Sequence, residues 1–175
     1  MKKINIKSTT LICLVSLYFA TVLNLSFWRY ITHNIQIDSP MMLLFALSLG
    51  IFIFVPLYVL FNFLICPYVG KLTTTILLLG SAAANCYMFA DGIYIDSDMV
   101  RNIMETNPRE TMEHMSSSFW LYVIITGLFP AVLLLMTNIQ YQTTAAEFKQ
   151  RLKYVGCSLF AVLLMGGICY KEYAV

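Results

Sequence analysis

Apolar runs of membrane length alternate along the chain with short polar connections. The first runs from about residue 9 to 28, behind Lys2, Lys3 and Lys7; the others cover about 41–66, 73–90, 119–136 and 154–170. Each approaches the roughly 20 residues an α-helix needs to cross a bilayer. The pattern therefore predicts an all-α membrane protein, a bundle of five transmembrane helices. A charged start before an apolar core also fits a signal peptide, but residues 23–27 offer no small-x-small cleavage site and the run is long, so span one is read as a retained helix. Pro56 and Pro130 lie inside spans two and four, where each removes a backbone N–H and should kink the helix. Gly80 and Ala84 in span three make a small-xxx-small pair, read as ordinary bundle packing.

Composition agrees with the pattern. Of 175 residues, 59% are hydrophobic and 11% charged, against about 45–50% and about 25% in soluble domains. Mean hydropathy is +0.76. Five spans and their connections leave no room for a large soluble catalytic domain within these residues. A net charge of +2 with scattered basic residues excludes a nucleic-acid footprint. The five cysteines show no CxxC spacing and fall in or beside apolar runs, so they are read as small hydrophobes. His33 and His114 are too few and too far apart to build a zinc site within the chain.

The flanks of the spans set an orientation. One side collects Lys2, Lys3, Lys7, Lys71, Lys149, Arg151 and Lys153, and the other Arg29, Arg101, Arg109 and Lys171. The positive-inside rule then places the N-terminus in the cytoplasm, with Val175 and the connection 91–118 outside. Trp28 and Trp120 fall at the outer ends of spans one and four, where an aromatic belt is expected.

That connection carries the candidate chemistry. It holds six of the nine acids, Asp91, Asp96, Asp98, Glu105, Glu110 and Glu113, against Arg101 and Arg109. Joining two antiparallel helices takes only about two to eight residues, so its length points to a further role. Apolar positions such as Met99, Ile103 and Met112 recur at helical spacing, which predicts short interfacial helices in the outer loop between helices 3 and 4. Asn107, Pro108 and Glu110 suit the N-cap, first and third positions of a helix, so a break is expected near Thr106. Asn102, Thr106 and Glu110 are spaced to share a face of one continuous helix. Their plainer reading is structural: Glu110 as the capping-box acid, Thr106 satisfying a helix end, Asn102 solvated. Asp96, Asp98 and Arg101 are secondary candidates, set against solvated charges at a headgroup interface, and His114 is read as an interfacial polar residue.

The string GIYIDSDMVRNIMETNPRE closely resembles the loop between the third and fourth membrane helices of the phosphoethanolamine–lipid A transferases, a family that includes the mobile colistin-resistance enzymes. The resemblance extends over essentially the whole chain, with TVLNLSFW in span one, GLFPAVLLL in span four and KEYAV at the start of the family's linker. It implies that 1–175 is the N-terminal membrane domain of such an enzyme, in the bacterial inner membrane, with the C-terminus periplasmic. It also implies that Asn102, Thr106 and Glu110 help hold the phosphoethanolamine headgroup. A carboxylate can pair with the ammonium, and an amide and a hydroxyl can donate to phosphate oxygens.

The family's nucleophilic threonine and zinc site belong to a periplasmic catalytic domain absent from these residues. No catalytic or metal residue is therefore assigned here, and the chain alone should be inactive. In the complete protein, phosphatidylethanolamine would give phosphoethanolamine to the threonine and lipid A would receive it, lowering negative charge and giving polymyxin resistance. The rival readings are a standalone lipid-binding or scaffold module and a small transporter. Transport is disfavoured by the lack of repeats and of charges within the apolar runs.

Overall fold

The computed structural model describes residues 4–35, 38–91 and 117–173. Five helical segments are long and apolar enough to cross a membrane: Ser8–Asn34, Pro40–Leu64, Gly70–Phe89, Ser117–Met136 and Ala145–Ile168, here spans one to five. The architecture is the expected all-α bundle of five transmembrane helices. The short interfacial helices expected in the connection fall on residues 92–116, outside the described residues.

Span one is two helices, Ser8–Thr21 and Leu25–Asn34, joined by a 3₁₀ turn at Val22–Asn24. Thr21, Val22 and Asn24 are poor helix formers, which localises the break. Inside a bilayer each backbone polar group freed by a break needs a partner within the protein. The carbonyls of Phe19, Ala20 and Val22 accept from Asn24 Nδ2 at 3.1 Å, Trp28 Nε1 at 2.8 Å and Asn85 Nδ2 at 3.4 Å. Trp28 thus has a structural task within the bundle. Its ring lies over Gly50 of span two, where an added Cβ would come within 2.9 Å of it. Trp120 remains half exposed.

Span two starts at Pro40 behind Ser39, whose hydroxyl accepts the Met42 N–H at 3.2 Å, and its helix continues through Pro56 to Leu64. Pro130 acts differently on span four. With no N–H of its own, it cannot serve the Thr126 carbonyl four residues back. Residues Ile124–Leu128 form a π turn between helices Ser117–Val123 and Phe129–Met136, and the Tyr18 hydroxyl of span one donates to that carbonyl at 2.8 Å. The close approach of spans three and four is at Gly127, where an added Cβ would stand 2.9 Å from the Ala82 Cβ. Gly80 is exposed and a Cβ there would meet nothing within 4 Å, so the Gly80–Ala84 pair is not the packing seam.

Spans one to four enclose one core, in which Ile12, Phe19, Phe61, Leu78, Ala82 and Leu134 are buried. The Phe19 and Phe61 rings meet at 4.8 Å between centroids. Span five packs on span two at the periphery. Its helix starts at Thr144, ten residues before the expected start near Tyr154. The charged turn is helical because Glu147 and Arg151 pair across it.

Two strands, β1 (Ile4–Lys7) and β2 (Thr137–Gln140), pair in parallel with Ile4 opposite Thr137 and Lys7 opposite Gln140. The sequence pattern did not foretell them. β1 runs into span one and β2 follows span four, so backbone leaving two neighbouring helices at one end finds partners there. Ile6 and Ile139 pack against the core, and Asn138 Nδ2 donates to Asn5 Oδ1 at 3.0 Å. The bundle thus has a strand end, carrying β1 and β2, and a loop end, from which residues 92–116 leave and return.

Candidate functional site

Asn102, Thr106 and Glu110, with Asp96, Asp98 and Arg101, all lie outside the described residues. The structure describes the mount on which that loop stands. The third-span helix ends at Asp91 and the fourth begins at Ser117. Their ends are joined by the Tyr87 and Phe119 rings, 5.0 Å between centroids, and the Arg29 guanidinium of span one lies 5.2 Å from the centre of the Phe89 ring. Both points of departure are thereby held beside the last turns of span one.

Below the mount, Asn85 is a buried junction of three spans. Its Oδ1 accepts from the Ser26 hydroxyl at 3.1 Å and from the Ser26 N–H at 3.4 Å. Its Nδ2 donates to the Tyr122 hydroxyl as well as to the Val22 carbonyl. An interhelical hydrogen bond in a bilayer contributes about 0.6–2 kcal/mol. Each also allows only one rotation of its helix about its axis, so this junction sets the direction in which Asp91 and Ser117 present the loop.

The strand end is built from charge. The Glu147 carboxylate accepts from the Ser8 hydroxyl, from the Gln142 N–H at 2.8 Å and from Arg151 at 3.0 Å. Arg151 also donates to the carbonyls of Asn62 at 2.6 Å and Ile65 at 3.0 Å, where span two ends. Lys71 Nζ donates to the Thr137 carbonyl, just past the end of span four. Both cations thus meet carbonyls that helix ends leave without partners, at the negative pole of the dipole. Beside this clasp lies a cavity of about 370 Å³ lined by Phe63, Tyr141, Arg151 and Leu152. Burial raises the Tyr141 phenol above its ordinary pKa, so it stays protonated and neutral.

A second anchor for span five lies at the loop end, where the Tyr173 and Ser48 hydroxyls are 2.6 Å apart. The Tyr173 ring packs against Phe45 and Phe52 at 4.9 and 5.4 Å between centroids. The arrangement fixes where the chain leaves the membrane relative to span two.

Sequence reasoning passed over these residues. Asn85 is a polar residue inside an apolar run, and Arg151 was read only as a flank charge. The signals available were the i,i+4 spacing of Glu147 and Arg151 and the cost of an unsatisfied amide in lipid. Neither names a partner. All five cysteines are free thiols, with Cys86 and Cys169 buried.

A five-span membrane domain that mounts an acidic loop between its third and fourth helices is the class of protein that this geometry defines. A sequence profile of the family described as phosphoethanolamine transferase EptA/EptB matches residues 52–175, more than half of the chain. The chain belongs to this family, as an N-terminal membrane domain. It is 27% identical to the phosphoethanolamine transferase EptA of Salmonella typhimurium over 92% of this chain and 30% of that protein. Identity with the phosphatidylethanolamine transferase Mcr-2 of Escherichia coli is 26%, over 97% and 31%. The fold matches that of the lipooligosaccharide phosphoethanolamine transferase A of Neisseria meningitidis with a TM-score of 0.90 at 24% identity, covering 99% of this chain and 32% of that one. The chain therefore spans about a third of the length of these relatives.

Proposed function

We propose that this chain is the membrane-embedded part of an enzyme that transfers phosphoethanolamine from phosphatidylethanolamine to lipid A in the bacterial inner membrane. The membrane domain anchors the enzyme, presents both lipids at the outer leaflet, and contributes Asn102, Thr106 and Glu110 to the headgroup site. Glu110 would meet the ammonium, while Asn102 and Thr106 donate to phosphate oxygens. The observation that carries this reading is family membership over a segment that includes the whole 92–116 loop. The rigid mount supports it, since a headgroup is held only as well as the elements beneath the loop.

Zinc and the nucleophilic threonine belong, on this reading, to a periplasmic catalytic domain. The residues described here do not fit the metal, because no three His, Cys, Asp or Glu side chains gather among them. Zinc there would activate the threonine and stabilise charge on the transferring phosphoryl group. The added ethanolamine would lower the negative charge of lipid A and with it the binding of polymyxins.

Replacing Glu110 by alanine in the complete protein should reduce lipid A modification about tenfold or more, as loss of one charge-assisted contact to the substrate does, with unchanged amounts of protein in the membrane. Mass spectrometry of extracted lipid A measures it; undiminished modification would remove Glu110 from the site. The orientation has its own check. A Ser117→Cys variant should react with a membrane-impermeant maleimide added from the periplasmic side, and protection there would invert the topology.

A further inference from the structure

The clasp brings the base of span five against span one, but above it the two helices separate, each packed on span two. Between them lies a groove of about 550 Å³, open along its side. Thr10 and Cys13 of span one form one wall, Cys157 and Ser158 of span five the other, and Phe54 and Tyr58 of span two the floor. Cys13 and Cys157 are exposed. All three helices cross the membrane, so the groove faces lipid, with its lower mouth at the strand end.

Two lysines flank that mouth along the chain, each within two residues of a lining side chain, Lys7 before Thr9 and Lys153 before Tyr154. Lys7 directly precedes span one, and Lys153 stands one helical turn below Cys157; both are exposed. Among the described residues neither takes part in an ion pair. Glu147 is the one acid at the strand end among those residues, and its carboxylate is already engaged by Ser8 and Arg151. Lysine can lay its stem on apolar surface and hold its ammonium at headgroup level. A basic mouth over an apolar slot between helices suits a phospholipid of net negative charge.

We propose that this groove is a binding site for one anionic diacyl phospholipid of the leaflet at the strand end, with an acyl chain along Phe54 and Tyr58 and its headgroup phosphate between Lys7 and Lys153. The lipid fills the gap between spans one and five and serves as a packing partner that the protein does not supply to span five. The site does not depend on the transferase reading and is separate from the loop at the other end of the bundle.

The intact protein in detergent, titrated in turn with dioleoyl-phosphatidylglycerol, -phosphatidylcholine and -phosphatidylethanolamine, tests this by native mass spectrometry. One phosphatidylglycerol per chain should be retained at a concentration about fivefold below that needed for either zwitterionic lipid, the scale of one lysine near an anionic headgroup. Lys153→Glu should abolish that preference. Ser158→Trp, which fills the groove, should remove the bound lipid, whereas Leu163→Trp at an exposed position higher on span five should not. Equal retention of all three lipids, or full retention in Ser158→Trp, overturns the proposal. Alkylation of the unaltered protein at Cys157 by N-ethylmaleimide is a check that needs no variant. Phosphatidylglycerol should slow it and phosphatidylcholine should not, and equal rates with both again overturn the site.

Discussion

Spans one to four and span five solve the same problem in different ways. In span one, 39% of the most apolar window is buried within the protein; in span five none of it is. The first four hold each other through interlocked surfaces such as Gly127 on Ala82, through the Phe19–Phe61 contact and through the Asn85 junction. Span five is fixed chiefly near its two ends, by Glu147 and Arg151 at one and by Tyr173, just beyond it, at the other. Lipid tails are as apolar as leucine, so an apolar face gives no preference for a neighbouring helix over lipid. What docks a helix in a membrane is shape and hydrogen bonding, and span five relies on the second.

That contrast can be broken at its charged clasp. Arg151→Ala would leave the Glu147 carboxylate buried without its cation and strip two carbonyls of their donor. A loss of about 3–5 kcal/mol is expected, the usual cost of removing one partner of a buried pair. Chemical unfolding in mixed micelles should register it, and proteolysis should find span five released before the rest; cooperative loss of all five spans together would contradict a separately held helix. Removing both charges, as in Glu147→Gln/Arg151→Met, should recover part of the loss.

A smaller effect is expected in the core. Gly127→Ala would press a methyl group against the Ala82 Cβ, which cannot swing aside. Such overpacking costs about 1–3 kcal/mol, and it should lower the unfolding midpoint of spans one to four without releasing span five. The smallest change is Tyr18→Phe. It leaves the Thr126 carbonyl without the hydroxyl that reaches it, at a cost of about 0.6–1.7 kcal/mol. If the mount orients the loop, lipid A modification by the complete protein should fall further than so small a loss of stability explains. Wild-type modification would mean that the π turn is a packing solution alone.

Legibility in the sequence followed the range of each interaction. Span two could be placed to within two residues at either end, because a membrane helix announces itself by an unbroken apolar run. The start of span five was misplaced by ten residues, because Glu147, Lys149, Arg151 and Lys153 read as a polar flank until the fold turns that flank into a docked helical turn. Trp28 was assigned to the membrane interface on position alone. That its ring also fills the notch at Gly50 of span two could be read only from the fold. For the loop, the residue types and spacing of Asn102, Thr106 and Glu110 were legible, and the resemblance supplied the role proposed for them.

By itself the sequence determined the class of protein, the number of spans, the unusual connection between spans three and four, and the family. These follow from hydrophobic runs of bilayer length and from local motifs, which need no knowledge of what lies opposite. Tertiary structure alone decided which polar groups meet. Ser8 and Glu147 are 139 positions apart, and β1 pairs with a strand that follows the fourth span. In lipid each backbone donor and acceptor must find a partner within the protein, yet many arrangements of five helices would satisfy that demand. The packing of Gly127 on Ala82 and of Trp28 over Gly50 selects among them, and shape complementarity of that kind leaves no periodic trace along the chain.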